Sequence, residues 1–385
     1  MSIKQTDERY IAHTYKRFDL AIVKGKGCLC YDDNGKEYID MTSGIGVNAF
    51  GYSDPVWADA VANQARLLQH TSNLYYTAPC AELAEILCTR TGMSKVFFSN
   101  SGAEANECAI KVARKYAAEH KGADYYNIIT LNKSFHGRTL TTLAATGQDN
   151  FHHDFLPLTE GFLYAQPNDT EELWQLVKEN KVAGILIETV QGEGGVNALD
   201  ADFVKAVERI CKENDIVFMV DEVQTGNGRT GKLYSYMHFG VQPDVVSTAK
   251  GLAAGLPMGA TLMSAKVGEV FGYGDHGSTF GGNPVCAAAA ISVMNRLNEA
   301  FLSEVAAKGQ YVKERVEAAG FSVSGLGLMI GIETKKPVSE VIAACMEKGV
   351  LCLSAKEKLR LLPPLNIPPE QLTKAVDVVI ESLSE

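Results

Sequence analysis

The sequence predicts an α/β protein, with a mostly parallel β-sheet covered by helices in a large domain and a small α+β domain beside it. Two features of the chain point there. From Cys80 onward, short apolar runs alternate with amphipathic helical segments, the pattern of βαβ units whose strands are buried on both faces. After NPVCAAAAISVMNRLN, which begins at Asn283, that alternation gives way to a long helical stretch and weaker strand signals. The expected division is an N-terminal segment over 1–51 that contributes to the small domain, a large domain over 52–282 and a C-terminal small domain over 283–385. A chain of 385 residues can bury both cores.

Taken in order, Ile22 to Asp40 reads as two short strands around the turn DDNG, because Asn-Gly favours a hairpin. SGIGVNAFGYSDP is a loop rich in glycine, VWADAVANQARLLQ a helix, and HTSNLYYTAP a polar, tyrosine-bearing loop suited to lining a pocket. There follow a helix (AELAEILCTRTG), a strand (KVFFSN), a helix (AEANECAIKVARKYAAEH), a strand (YNIITLN) and a helix (HGRTLTTLAAT). Further strands are expected at AGILIETV, IVFMVDE, DVVSTA and ATLMSA, with helices TEELWQLVKEN and DADFVKAVERICKEN between the earlier ones. FSVSGLGLMIGIET, PVSEVIAACMEKG, VLCLSA and LRLLPPL supply the small domain, and PPEQLTKAVDVVIESLSE closes the chain as a helix.

Composition narrows the function. A formal net charge of −10 without basic clusters argues against nucleic acid as a partner. No apolar run approaches a membrane span, and the opening MSIKQTDERYIAHTYKRF lacks the apolar core of a secretory leader, so a cytoplasmic protein is expected. Nine cysteines without CxxC pairs or histidines at ligand spacing read as reduced structural thiols, with no metal site.

The residues that could carry chemistry fall at the ends of the apolar runs. Lys250 follows DVVSTA among small residues, where poor hydration disfavours the ammonium form and frees a nucleophilic amine able to form an imine with an aldehyde. Asp221 ends IVFMV, at the same strand-end edge where open α/β sheets bind ligands. A lysine of this kind with an aspartate available for a pyridinium nitrogen is the pairing used by pyridoxal phosphate. SNSGAEANE has Ser101 and Glu104 at capping-box spacing, and its Gly102 and Ala103 leave the first helical N–H groups open to an anion. In SFHGRT, Phe135 can stack on a flat ring and Arg138 can hold a carboxylate. VQGEGG leaves Glu193 between glycines, and GSTFGGNP offers the hydroxyls of Ser278 and Thr279.

In this order the motifs DEVQTGNGRTG, STAKG, SNSGAEANE, SFHGRT, TVQGEGG, HGSTFGGNP and LRLLPPL resemble the class III pyridoxal-phosphate-dependent aminotransferases of fold type I, over roughly Gly25 to Leu365. Tyr52 and Asn227 depart from the family pattern, standing where His and an apolar residue are more usual. The resemblance implies that Lys250 binds the cofactor and then moves a proton, that Asp221 pairs with the ring nitrogen and that Gln224 reaches the ring's phenolic oxygen. Phe135 and Val223 would cover the two ring faces. Gly102 and Ala103 would hold phosphate together with Thr279 of the partner subunit, so a homodimer is expected. Arg138 and Ser278 would hold the amino-acid end of the donor, Arg360 the α-carboxylate of 2-oxoglutarate, and Glu193 would cover Arg360 when that carboxylate is absent. Within the family, SFHGRTL, TGQ and HGSTFGGNP are most similar to the branch that takes the terminal amine of N-acetylornithine in arginine biosynthesis. Ornithine, succinylornithine, N-succinyl-diaminopimelate and 4-aminobutyrate remain open as donors. An aminomutase is disfavoured by Arg360, and a regulatory binding protein by the lack of a basic N-terminal extension.

Overall fold

A computed structural model describes residues 2–385. Its centre is a seven-stranded sheet made of β1 (Lys95–Ser99), β2 (Asn127–Leu131), β3 (Phe162–Ala165), β4 (Val182–Ile187), β5 (Val217–Asp221), β6 (Val245–Thr248) and β7 (Gly259–Met263). Their spatial order is β1-β7-β6-β5-β4-β2-β3. Every pair from β6 to β3 is parallel, while β7 runs antiparallel to both β6 and β1. The exception follows from chain length. Residues 249–258 hold only a short turn of helix between β6 and β7, too little for a crossover, so the chain must double back.

All residues of β4 and β5 are buried, which is why they read as continuous apolar runs rather than as alternating ones. Helix α1 (Gly102–His120) packs on the sheet through a stripe that includes Ala105, Ala109, Ala113 and Ala117. The backbones approach closely there. A Cβ on Gly184 in β4 would fall 2.9 Å from the Ala113 Cβ and 2.6 Å from Met219 Cε.

Three smaller sheets accompany the central one among the described residues, one of them the antiparallel pair Val190–Gln191 and Asn197–Ala198. Ile22–Lys26, Leu29–Asp32, Glu37–Asp40 and Val350–Leu351 form another, the last two strands pairing in parallel and so joining the two ends of the sequence. Val323–Leu326, Met329–Glu333, Lys358–Leu361 and Leu353–Ala355 form an antiparallel sheet in that order. Among the described residues no helix is long and apolar enough to cross a membrane.

Three expectations need correction. Ile22 to Asp40 holds three strands, not two, because Gly27, at φ +59, adds a reversal before Cys28. HGRTLTTLAAT is helical only over Leu140–Ala145, and residues 136–139 form a loop. The edge strand β3, four residues in the irregular segment GFLYAQP, carried too short a pattern to be expected at all.

Because β7 is antiparallel to both its neighbours, β1 runs in the direction of the other strands. The carboxyl ends of β1, β2, β4, β5 and β6 therefore open on one edge, and the loops leaving them build a single cavity.

Candidate active site

The cavity measures about 600 Å³ and is lined by residues from each of those loops, among them Gly102, Ala103, Phe135, Arg138, Asp221, Val223, Gln224 and Lys250. At the start of α1, Ser101 Oγ accepts the Glu104 N–H (3.2 Å). The capping box closes one residue early: the Glu104 carboxylate accepts from the backbone N–H (2.5 Å) and side-chain amide (3.2 Å) of Asn100 rather than from Ser101. Gly102 cannot carry a side chain, since a Cβ would lie 2.6 Å from Val223 Cγ1.

Asp221 is 3% exposed. Its Oδ2 accepts from Asn106 Nδ2 (2.7 Å) and pairs with His136 Nδ1 (2.8 Å), and its Oδ1 accepts the Val223 N–H (2.9 Å). Asn106 also donates to the His136 carbonyl (2.8 Å) and accepts from Ser247 Oγ in β6. One lone-pair site of the carboxylate remains, leaving it able to accept one donor more.

Lys250 is half-buried and sits at φ +44, in the left-handed region that a side chain disfavours. Burial lowers its pKa below the usual lysine value, against the opposing charge of Glu193, and Arg360 adds to the lowering while Asp221 and Glu188 resist it. The deprotonated amine is thus more accessible here than on a surface lysine.

Arg360, in the strand Lys358–Leu361, is 3% exposed and grips Glu193 with both arms, Nη1 to Oε1 at 2.6 Å and Nη2 to Oε2 at 3.4 Å. Gln224 completes a ring, accepting from Arg360 Nη1 and donating to Glu193 Oε1, both at 3.2 Å. Burial works to raise the Glu193 carboxyl, but the Arg360 charge and hydrogen bonds outweigh it, helped by Lys250 and Gln224, and its pKa stays below the ordinary value. Gly192 permits this closeness, since a Cβ there would lie 2.4 Å from Gln224 Oε1.

Arg138 is exposed, its guanidinium over the rings of Phe151 (4.2 Å) and Phe135 (5.4 Å). Ser278 and Thr279 do not join the cavity of their own chain. They line a separate hollow with His70, Asn73 and Leu74, although Ser278 Oγ accepts from Asn100 Nδ2 (3.1 Å) at the cavity wall.

The arrangement fits pyridoxal phosphate on its donor chemistry: a helix start at Gly102 and Ala103, an ordered buried carboxylate with one acceptor site to spare, and a lysine of lowered pKa share one cavity. Sequence reasoning missed His136, Asn106 and Glu188. The first two lie inside motifs already singled out. Glu188 was signalled only by being a lone charge at the end of the run GILIE.

Glu188 is 5% exposed and accepts the N–H groups of Phe135 (2.8 Å) and Gly192 (3.2 Å), tying the loop after β2 to the one after β4. Burial raises its pKa to about 7, with Asp221 adding to the shift and His136 opposing it. A raised pKa means that the folded protein keeps a proton the unfolded chain has already lost. The associated stability is full below the ordinary value of 4.5 and is lost as pH rises through about 7. Thermal unfolding of cofactor-free protein should therefore show the stability difference between wild type and Glu188→Gln moving against the wild type from pH 5 to pH 8, by on the order of 2–3 kcal/mol. A difference constant across that range would contradict the assignment.

The comparisons agree with this geometry. The family model described as aminotransferase class-III matches residues 10–383. The acetylornithine aminotransferase of Haemophilus ducreyi is 51% identical over all of this chain and 98% of its own. That of Aquifex aeolicus is 45% identical over 97% of this chain and 100% of its own. Among solved structures, the ornithine aminotransferase of Toxoplasma gondii superposes with a TM-score of 0.95 at 30% identity, over 99% of this chain and 94% of that one. The N-acetylornithine aminotransferase of Stenotrophomonas maltophilia gives 0.85 at 32% identity, over 99% and 98%. A sheet with its ligand edge built this way, matched along nearly its whole length, leaves one conclusion: the chain belongs to the class III aminotransferases, enzymes that work with pyridoxal phosphate.

Proposed function

We propose that the enzyme moves the terminal amino group of N2-acetyl-L-ornithine to 2-oxoglutarate, giving N-acetylglutamate 5-semialdehyde and glutamate, by a ping-pong course within arginine biosynthesis. The observation that carries this reading is the Arg360–Glu193 pair beside Lys250, a carboxylate site with its own removable cover. The names of the relatives support the donor. Ornithine is the second reading, favoured by structural neighbours that are ornithine aminotransferases.

When bound, pyridoxal phosphate would supply a carrier for the amino group and a sink for the electrons left on the donor carbon. The chain's own residues make this efficient. Lys250 would hold the cofactor and carry the proton from the donor's terminal carbon, a task suited to an amine whose pKa burial has lowered. Asp221 would keep the proton on the ring nitrogen, its carboxylate fixed by Asn106, His136 and the Val223 N–H. The N–H groups of Gly102 and Ala103 would hold the phosphate, Phe135 and Val223 would close on the ring, and Gln224 would reach the ring's oxygen.

The two substrates differ at the reacting carbon, and Glu193 accommodates the difference. N-acetylornithine brings no carboxylate beside its terminal amine, so a bare Arg360 would be a buried unpaired cation, costing several kcal/mol. Glu193 pairs with Arg360 in that half-reaction and yields to the α-carboxylate of 2-oxoglutarate in the other. Arg138 holds the far end of either substrate, and Ser278, which lies outside the cavity of its own chain, would join it there from the partner subunit.

The same reading makes the enzyme a homodimer. Thr279 is exposed, away from the cavity of its own chain, and next to it stand Phe280, 60% exposed, and Leu74, 87% exposed. A second copy would cover this patch and bring Thr279 of the partner subunit to the phosphate. Sedimentation of the cofactor-loaded protein should give a dimer, and Thr279→Ala should release the cofactor more readily. A monomer with full activity would contradict the dimeric site.

A donor screen with 2-oxoglutarate, read as glutamate formed, ranks N-acetylornithine against ornithine, and a clear preference for ornithine would replace the first reading by the second. Glu193→Gln tests the cover. Single-turnover kcat/KM for N-acetylornithine should fall about tenfold or more while that for glutamate holds, since only the former needs the charge on Arg360 neutralised by protein. An unchanged ratio between the two donors would rule out the movable cover.

A further inference from the structure

Lys250 reaches the cavity from an unfavourable turn. The ladder of β6 with β7 ends at Thr248, Ala249 follows at φ −165 and ψ −138, and Lys250 itself adopts φ +44. A lysine in the left-handed region persists only where its surroundings over-determine it. What holds this turn is the carbonyl of Ala249, which accepts from the Leu252 N–H (2.9 Å) and from Asn227 Nδ2 (3.0 Å).

Asn227 is fitted to that task. It lies under the turn, 2% exposed, and a Cβ placed on Gly251 would meet the Asn227 Cβ at 3.3 Å. Nδ2 also reaches Thr248 Oγ1 at 2.9 Å, so a single amide group spans the last residue of β6 and the first of the turn. The orientation of the amide is fixed by chemistry: a carbonyl oxygen only accepts, so the nitrogen must face Ala249. Asn227 itself sits at φ +56, which asparagine tolerates better than apolar residues do. Its Oδ1 is buried without a partner among the described residues, a loss of stability that a leucine of similar size would avoid.

We propose that Asn227 is a positioning residue for Lys250, its Nδ2 gripping the Ala249 carbonyl and so holding the left-handed turn that presents Lys250 to the cavity. This rests on Lys250 being the cofactor-holding lysine. Lys250 serves both half-reactions, whereas Arg360 and Glu193 distinguish between them. Loosening the turn therefore slows both halves by the same factor and leaves the KM for each substrate nearly unchanged.

The test uses cofactor-loaded wild type, Asn227→Leu and Asn227→Gly. Leucine removes the donor at similar volume; glycine removes it while keeping the left-handed backbone, and stands in if the leucine variant does not fold. Single-turnover rates with N-acetylornithine and with glutamate should fall together, about tenfold. In parallel, hydrogen exchange at the Leu252 amide, which shares the Ala249 carbonyl, should speed up by a similar factor. Wild-type rates in both variants would overturn the proposal, as would slowed rates with Leu252 protection unchanged or a loss confined to one substrate. Borohydride mapping on the same samples keeps the two ideas apart. If the reduced cofactor in wild type sits on another lysine, the reading of Lys250 fails, while the Leu252 exchange still decides whether Asn227 grips the turn.

Discussion

A carboxylate that is 3% exposed must be surrounded by donors or lose its charge, and Asp221 is the point from which the rest of this site is organised. Its three donors come from three places: Asn106 in α1, His136 in the loop after β2, and the backbone of Val223 just beyond β5. Each is constrained in turn. Asn106 is held by Ser247 in β6 and holds the His136 carbonyl, so β5, β6, α1 and the loop after β2 meet in one network. Hydrogen bonds to a charged group contribute about 1.5–3 kcal/mol each, and losing any one would leave the others poorly matched. That requirement explains why His136 to Thr139 leaves the helical path its sequence suggests. The imidazole is needed against Asp221, not on a helix face.

Two buried arginines divide the remaining work. Arg229 donates to the carbonyls of Leu328 and Pro363, groups that cannot move away, and its own carbonyl accepts the Leu328 N–H. Burial pulls its pKa down to about 9. It bolts the loop beyond β5 to the sheet that carries Arg360, and Gly327 allows the contact, since a Cβ there would fall 2.4 Å from the Thr230 backbone. Arg360 instead faces a carboxylate on a glycine-flanked turn, Gly192 to Gly195, where the partner is held by an ion pair and one amide. One guanidinium has immobile partners and the other a displaceable one. The substrate exchange proposed above would require that difference.

Much of this was legible in the chain. Interior strands such as β4 and β5 are apolar on both faces and cannot be mistaken for amphipathic helix, and Lys250 and Asp221 stand out as charges at the ends of such runs. Glu193, Arg360 and Gln224 were each assigned from a motif, but their closed ring depends on two sheets meeting, and no local pattern encodes that. Glu188 escaped because a single acid after GILI looks like an ordinary strand end until burial is known. Ser278 and Thr279 mark a different limit, since they lie outside the cavity of their own chain, and the shared site proposed for them would leave no signature in the spacing of one chain. The extra strand before Asp32 was lost for a smaller reason, a reversal at Gly27 hidden beneath the stronger Asn-Gly signal.

The proposed function stands on one covalent attachment, that of the cofactor to Lys250. Purified protein loaded with pyridoxal phosphate, reduced with borohydride and digested, should yield a single modified peptide with the pyridoxyl group on Lys250, and Lys250→Ala should yield none. A label on any other lysine, or an undiminished label in the Lys250→Ala protein, would contradict the site described here.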